Sequence, residues 1–365
     1  MPGLPAPDPA GLPAPIWLLK FLSVFTLTLH LVAMNFLVGG TIAMAIMSRR
    51  GKTDAVAARV RDTLARALPV TMSLTITLGV APLLFVQVIY GQAFYASSVL
   101  MAWPWLAIIV LLLLAYYGLY ACQFRPEWLG KHLNAVAWVS ALFILLVGFL
   151  FSNNWTLMLT PKNWHTLYEN SISGLALNLA ERSLVPRYLH FMIGGLAVAG
   201  LGMLLLGRST TRKDAEAGER LTSLGRKWFL AATGVQILVG LWFLFALDAP
   251  VRRYFVGGNM IDSSVLGLGI LLTLISMVAV RRWPWLAAIL TGATVFLMVV
   301  VRHRLRQIVL TPLLRVNDLP VNAQWGLFAV FAVVLVVGLC VVLWMVLVFA
   351  RAGGSTTAAD QPEAS

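Results

Sequence analysis

Nine apolar runs recur between Trp17 and Ala350, each about the length that crosses the hydrocarbon core of a bilayer. A segment inside lipid must satisfy its own backbone hydrogen bonds, so runs of this kind become α-helices. They fall at roughly 17–47, 69–91, 98–122, 133–152, 186–207, 227–247, 262–280, 284–303 and 325–350. The pattern predicts an all-α, polytopic membrane helical bundle of about nine transmembrane helices. Hydrophobic residues make up 60% of the chain and charged ones only 11%, which excludes a soluble domain with a charged surface. The first run is long for one crossing, so its ends must tilt or project. No internal repeat stands out.

The chain divides into a short Pro- and Ala-rich segment (1–16), a single bundle (17–350) and a polar tail (351–365) whose composition reads as disordered. The first segment lacks the basic start of a signal peptide, so the first run is expected to remain as a helix. Basic residues crowd into alternate loops. Arg49, Arg50, Lys52, Arg59, Arg61 and Arg66 fall in 48–68, and Arg208, Arg212, Lys213, Arg220, Arg226 and Lys227 in 208–227. The opposite loops carry fewer, more dispersed cations. The positive-inside rule then puts the N-terminus outside and the C-terminus inside. It also explains the net charge of +13 without nucleic acid as a partner. The cysteines, Cys122 and Cys340, form no CxxCH, which excludes covalent c-type haem.

Three of the five histidines, His30, His190 and His303, fall in apolar runs, with His190 and His303 toward the outer side; His132 and His165 fall outside the runs. An imidazole in a membrane helix has three readings. It can hydrogen-bond a neighbouring helix, ligate haem iron, or pass protons. A proton relay recruits carboxylates, and here Asp248 and Asp262 lie only at run ends. That favours haem, and the residue types alone go no further.

The residues around the histidines go further. "FLSVFTLTLHLVAMNFLVGGTIAM" resembles the first helix of subunit I of the cytochrome bd quinol oxidases, and "LALNLAERSLVPRYLHFMIGGLAVAGL" is similar to that family's fifth helix. "HLNAVAWVSALFILLVGFLFSNNWTLMLTP" resembles its fourth helix with the turn that ends it, here Ser152–Trp155 before Pro161. "WPWLAAILTGATVFLMVVVRHRLRQIVLTP" resembles its eighth, and aligning Arg306-Gln307 sets His303 on the family's glutamate ligand. The resemblance implies that His30, His190 and His303 are axial ligands of two or three non-covalent b haems near the outer face, with haem d compatible with the same ligands. The family's methionine partner of the His190 haem aligns with Val265 or Ser263 here, with Met260 about one turn away as the residue that could serve instead. A methionine that only fills core space, a second histidine ligand or five-coordinate iron are the alternatives. Arg306 is implied as a propionate partner. Arg187, Arg252, Arg253, Arg302 and Arg304 are read with it as an outer rim, facing propionates, headgroups or an acidic c-type cytochrome. Trp103, Trp105, Trp155 and Trp164 read as an interfacial belt.

The sequence also departs from the family. "LGVAPLLFVQVIYGQAFY" keeps Gly79, Val80, Gln87 and Gly91 but lacks the family's acid, and "MAWPWLAIIVLLLLAYYGLY" has no acid in any register. Only "LDAPVRRYFVGGNMID" stands where the family has its long quinol-binding loop. The family's oxygen reduction and quinol route therefore do not transfer with the resemblance. What it implies is a haem-binding oxidoreductase or electron-transfer subunit of a respiratory chain in the bacterial cytoplasmic membrane. Such a subunit passes electrons between an outer partner, such as a c-type cytochrome, and a quinone or terminal acceptor, alongside a second membrane subunit and membrane lipid. The rival readings are a genuine quinol:oxygen oxidase subunit and a haem-free transporter or assembly factor.

Overall fold

The computed structural model describes residues 10–355, and among them nine helices are long and apolar enough to cross a membrane. They are α1 (Ile16–Arg50), α2 (Ala55–Leu100), α3 (Ala102–Phe124), α4 (Leu133–Met158), α5 (Leu184–Thr210), α6 (Ala215–Ala246), α7 (Met260–Ala279), α8 (Pro284–Leu310) and α9 (Trp325–Ser355). The outer segment read over 1–16 and the tail read over 351–365 fall partly on residues 1–9 and 356–365, which lie outside the described residues. Within the described part, Leu12 is pinned to the segment before α9: its N–H donates to Pro320 O (2.7 Å), and its carbonyl accepts from Asn322 N–H (2.8 Å).

Several helices overrun their apolar cores. At ~1.5 Å per residue, α2 is far longer than a ~30 Å hydrocarbon core. It projects on the side of the basic loops, and near its other end Tyr90 leaves helical geometry (φ −128°, ψ 29°), where the helix bends. α4 runs through Ser152–Trp155, which the sequence places at a turn. α8 runs on to Leu310, so Arg304 and Arg306, beyond the run read as ending at 303, are helical rather than loop residues.

The structure corrects the reading that the chain has no internal repeat. The hairpins α1–α2 and α5–α6 are built alike. In each, a histidine is followed 24 positions later by Asp-Ala-x-Ala: His30 with Asp54–Ala57, and His190 with Asp214–Ala217. Asp54 caps α2 by accepting from Val56 and Ala57 N–H, and Asp214 caps α6 by accepting from Ala217 N–H. Each capping carboxylate also pairs with an arginine of the other hairpin, Asp214 with Arg59 (2.7 Å) and Asp54 with Arg220 (3.2 Å). The two caps thus tie the hairpins together reciprocally on the basic-loop side. On the same side of mid-helix, α1 and α5 approach closely, with Gly39 against Ala199 leaving no room for a Cβ.

The two halves pack differently. α1–α4 share with α5 and the start of α6 a continuous core that includes Leu37, Leu64, Met72, Leu119, Ala137, Met203 and Leu221. α6, α7 and α8 meet each other mainly at their basic-loop ends, through Phe229, Ala279, Val280 and Ala287. Beyond that plug they separate around a cavity.

Candidate functional site

Each hairpin sets its histidine against the helix that returns. His30 on α1 lies against α2, with Nδ1 3.0 Å from the carbonyl oxygen of Thr75. Only an N–H can bond to a carbonyl oxygen, so Nδ1 carries the proton and Nε2 keeps its lone pair. That is the tautomer an iron ligand requires. The close approach needs Gly79, where a Cβ would stand 2.9 Å from the imidazole. His190 repeats the arrangement on α5 against Gly240 of α6, where a Cβ would lie 3.1 Å from Cε1. Its Nδ1 is buried and has no hydrogen-bond partner.

His190 opens onto a cavity of about 250 Å³ between α1, α5, α6, α7 and α8. Its walls are apolar: Phe191, Leu241, Phe243, Phe255, Ile270 and Met298 are among them. Phe255 reaches it from a wide turn after α6, made possible by Gly257 at φ +86°. At the cavity's histidine end stand two arginines, Arg187 and Arg302.

These arginines are not a rim. Arg187 is 4% exposed and Arg306 3%. Among the described residues neither they nor Arg302 pairs with a carboxylate, and Nε of both Arg187 and Arg302 is buried without a partner. They lie instead on aromatic faces. Arg187 sits 4.8 Å from the centre of the Phe243 ring, and Arg302 and Arg306 flank Trp155 at 4.1 and 4.2 Å. Tyr90, at the bend of α2, also faces Arg306, at 5.0 Å. Trp155 is therefore a platform for two cations and not a belt residue. A desolvated cation–π contact contributes ~2 kcal/mol, whereas stranding a charge away from water costs several. The rings offset only part of that cost, and the remainder calls for an anion. Arg304, by contrast, is satisfied by a bidentate pair with the buried Asp262 (2.8 and 3.0 Å) that ties α8 to α7.

The structure does not bring all the expected ligands together. His303 is buried, with an unpartnered Nε2, but does not line the cavity. It sits one turn along α8 from Val299, which packs on Val24 and Leu31 of α1. His30 also lies outside the cavity. Met260 is 85% exposed at the start of α7 and is no part of the lining, whereas Met298 of α8 is. Sequence reasoning passed over Met298 and seven hydroxyl or amide side chains in the same cavity, among them Thr233, Gln236, Thr291 and Thr294. Their i, i+3 spacing on α6 and α8 was the available signal. Among the described residues no three His, Cys, Asp or Glu side chains converge as a cage for a bare metal ion.

No protein-family model matches the sequence, and no curated protein matches it either. Among solved structures it superposes on that of bd oxidase from Geobacillus thermodenitrificans with a TM-score of 0.67, covering 93% of this chain and 99% of that one. The chain has the fold of a bd oxidase. Sequence identity over the match is 14%, so the backbone path is retained while most side chains differ.

Proposed function

We propose that the chain is a haem-binding electron-transfer subunit, and that the His190 cavity is one of its haem sites. The observation that supports this most strongly is the set of unpaired arginines, buried next to a cavity whose one histidine has a free ring nitrogen. A haem matches each part. Its macrocycle is flat and apolar like the cavity walls, its iron takes neutral imidazole, and its two propionates are the anions the arginines lack. His190 would hold the iron and orient the ring, with Gly240 leaving room for the imidazole. Arg187 and Arg302 would take the propionates, and Arg306 would reinforce them across Trp155. The apolar walls exclude water and so fix the electrostatic environment. When bound, the haem supplies one-electron redox chemistry.

The bd oxidase fold extends the reading to His30 and His303 as ligands of one or two further haems, with Met260 too exposed in this chain to serve. The charge asymmetry of the loops supports an N-terminus outside and a C-terminus inside, with the histidine ends of the helices on the outer side of a bacterial cytoplasmic membrane. On that side Arg252 and Arg253 offer a basic surface to a c-type cytochrome. Electrons would pass from such a donor to a quinone or terminal acceptor, with a second membrane subunit completing the complex. Because α2 and α3 lack the family's acids, we favour electron transfer over oxygen reduction. The test is to purify the protein, count haem per chain, and measure oxygen uptake with quinol and with reduced cytochrome c. Haem with electron exchange but no oxygen uptake supports the reading. Quinol-driven oxygen uptake would make the chain an oxidase subunit, and absence of haem would return it to the transporter or assembly-factor class.

A further inference from the structure

On the basic-loop side, the arginines where the hairpins meet are matched by carboxylates. Arg59 pairs with Asp214 and Glu216, Arg220 with Asp54, and Arg61 with Asp62. Arg208 and Arg282 are not used in this way. Arg208 stands in the last turn of α5, and Arg282 in the turn between α7 and α8. Among the described residues neither side chain pairs with a carboxylate. They come from separate connections of the chain, yet both line one open cleft of about 530 Å³. The rest of its lining is Trp283, Pro284, Trp285 and Leu286, where α8 begins.

The cleft lies where apolar spans end, since α5 and α8 are both long and apolar enough to cross a membrane. Trp283 and Trp285 are 62% and 67% exposed there. Exposed tryptophans at span ends sit at headgroup level, with the ring toward the acyl boundary and the indole N–H toward polar groups. Two guanidiniums at the same level call for an anion, and a phosphate diester accepts from guanidinium bidentately. The lining contains no acid, so nothing there would neutralise the ammonium of a choline or ethanolamine headgroup. A phospholipid with a net negative charge brings no such ammonium. Leu286 and Ile289, one turn deeper on α8, are exposed apolar side chains along the path an acyl chain takes into the bilayer.

We propose that this cleft binds one anionic phospholipid from the leaflet on the basic-loop side. Its phosphate lies between Arg208 and Arg282, and its glycerol and acyl chains lie on Trp283, Trp285 and Leu286. Basic pockets between membrane helices bind anionic headgroups on this principle. The cleft adjoins the plug of Leu204, Phe229, Val280 and Ala287 that joins α5 and α6 to α7 and α8. Arg208 lies one turn beyond Leu204, Arg282 two residues beyond Val280, and Leu286 immediately before Ala287. The lipid therefore braces the α7–α8 turn against the end of α5, at the closed end of the hollow half.

The test is thermal unfolding of the full-length protein in detergent micelles with added phosphatidylglycerol, phosphatidylcholine or inorganic phosphate. The expected result is a midpoint that rises and saturates with phosphatidylglycerol and does not rise with the other two. Arg208→Gln with Arg282→Gln should raise the phosphatidylglycerol concentration that gives half of that rise by about tenfold or more. Arg49→Gln with Arg50→Gln removes the same charge from exposed positions outside the cleft and should leave that concentration unchanged. Equal protection by phosphatidylcholine overturns the proposal in favour of a general apolar contact, and equal protection by inorganic phosphate overturns it in favour of a simple anion site. A like shift from the Arg49 and Arg50 substitutions overturns it in favour of diffuse surface charge, and no rise with any additive overturns it outright. If the Arg208 and Arg282 variant does not fold, native mass spectrometry of wild type released from its own membranes decides. One anionic phospholipid retained per chain supports the site; none, or a zwitterionic lipid in its place, overturns it.

Discussion

The two hairpins share a plan, and their surroundings differ. His30 and His190 each precede an Asp-Ala-x-Ala cap by the same spacing, and each rests on a glycine of the returning helix. Yet α4 closes on the first hairpin, where Asn134 Nδ2 donates to Ala45 O (2.9 Å), and α3 packs on α4 with Gly118 against Ser140. α7 and α8 stand off from the second. In the apolar windows of α6, α7 and α8 only 11%, 17% and 17% of residues are buried, against 28% in α2 and in the span containing α4, whereas α5, at 44%, is buried in the shared core. The same local instructions thus yield a packed half and a hollow one. In the packed half the imidazole Nδ1 is satisfied by Thr75. In the second half, among the described residues, His190 Nδ1, Arg187 Nε, Arg302 Nε and polar atoms of four side chains of α6 and α8 are buried with no hydrogen-bond partner.

The sharpest way to break this contrast is Arg302→Met. In the loaded protein it removes one partner of a buried ionic contact and should cost about 3–5 kcal/mol. In haem-free protein the same change removes an unpaired buried charge and should be neutral or stabilising by about 1–4 kcal/mol. Thermal unfolding of both forms reads the sign. Destabilisation in both forms would mean that Arg302 is satisfied without a ligand.

A smaller difference is expected from paired truncations. Leu119 is fully buried in the packed half, and Leu119→Ala should cost ~2–5 kcal/mol. Leu244 lines the hollow half, so Leu244→Ala in haem-free protein only enlarges space already present and should cost less than ~2 kcal/mol. Equal costs in denaturation curves would show that the second half is packed in solution.

The smallest effect lies where the halves are tied together. Backbone N–H groups, that of Ala57 foremost for Asp54 and that of Ala217 for Asp214, hold both carboxyls below the ordinary carboxylate pKa. Their contribution is complete above pH ~4 and is lost as the pH falls through the lowered folded-state values. Asp54→Asn with Asp214→Asn keeps the caps and removes the ion pairs. It should flatten the acid limb of the stability profile and leave neutral pH nearly unchanged. An unaltered acid limb would mean that acid sensitivity arises from other groups.

Much of the fold was legible because lipid leaves a crossing segment little choice but an apolar helix, so hydropathy alone marks each span. What lay beyond the apolar runs was harder to read. α2 and α6 continue through charged residues because Asp54 and Asp214 cap good helix formers, a signal independent of hydropathy. Arg302 and Arg306 read as rim residues because a cation at the end of an apolar run normally faces water. The burial of Arg306 and the partial burial of Arg302 depend on Trp155, Tyr90 and a longer α8. The repeat stood in the sequence as a spaced His and Asp-Ala-x-Ala pair. The cavity did not, since a gap between helices is a property of their packing.

The most direct measurement is a reduced-minus-oxidised absorbance spectrum of the purified protein, wild type beside His190→Ala and His30→Ala. Haem bands in wild type, with one component lost in His190→Ala and a different one in His30→Ala, are the expected result. A wild-type protein without haem bands, or a His190→Ala protein that keeps every component, would contradict the assignment of the hollow half as a haem site.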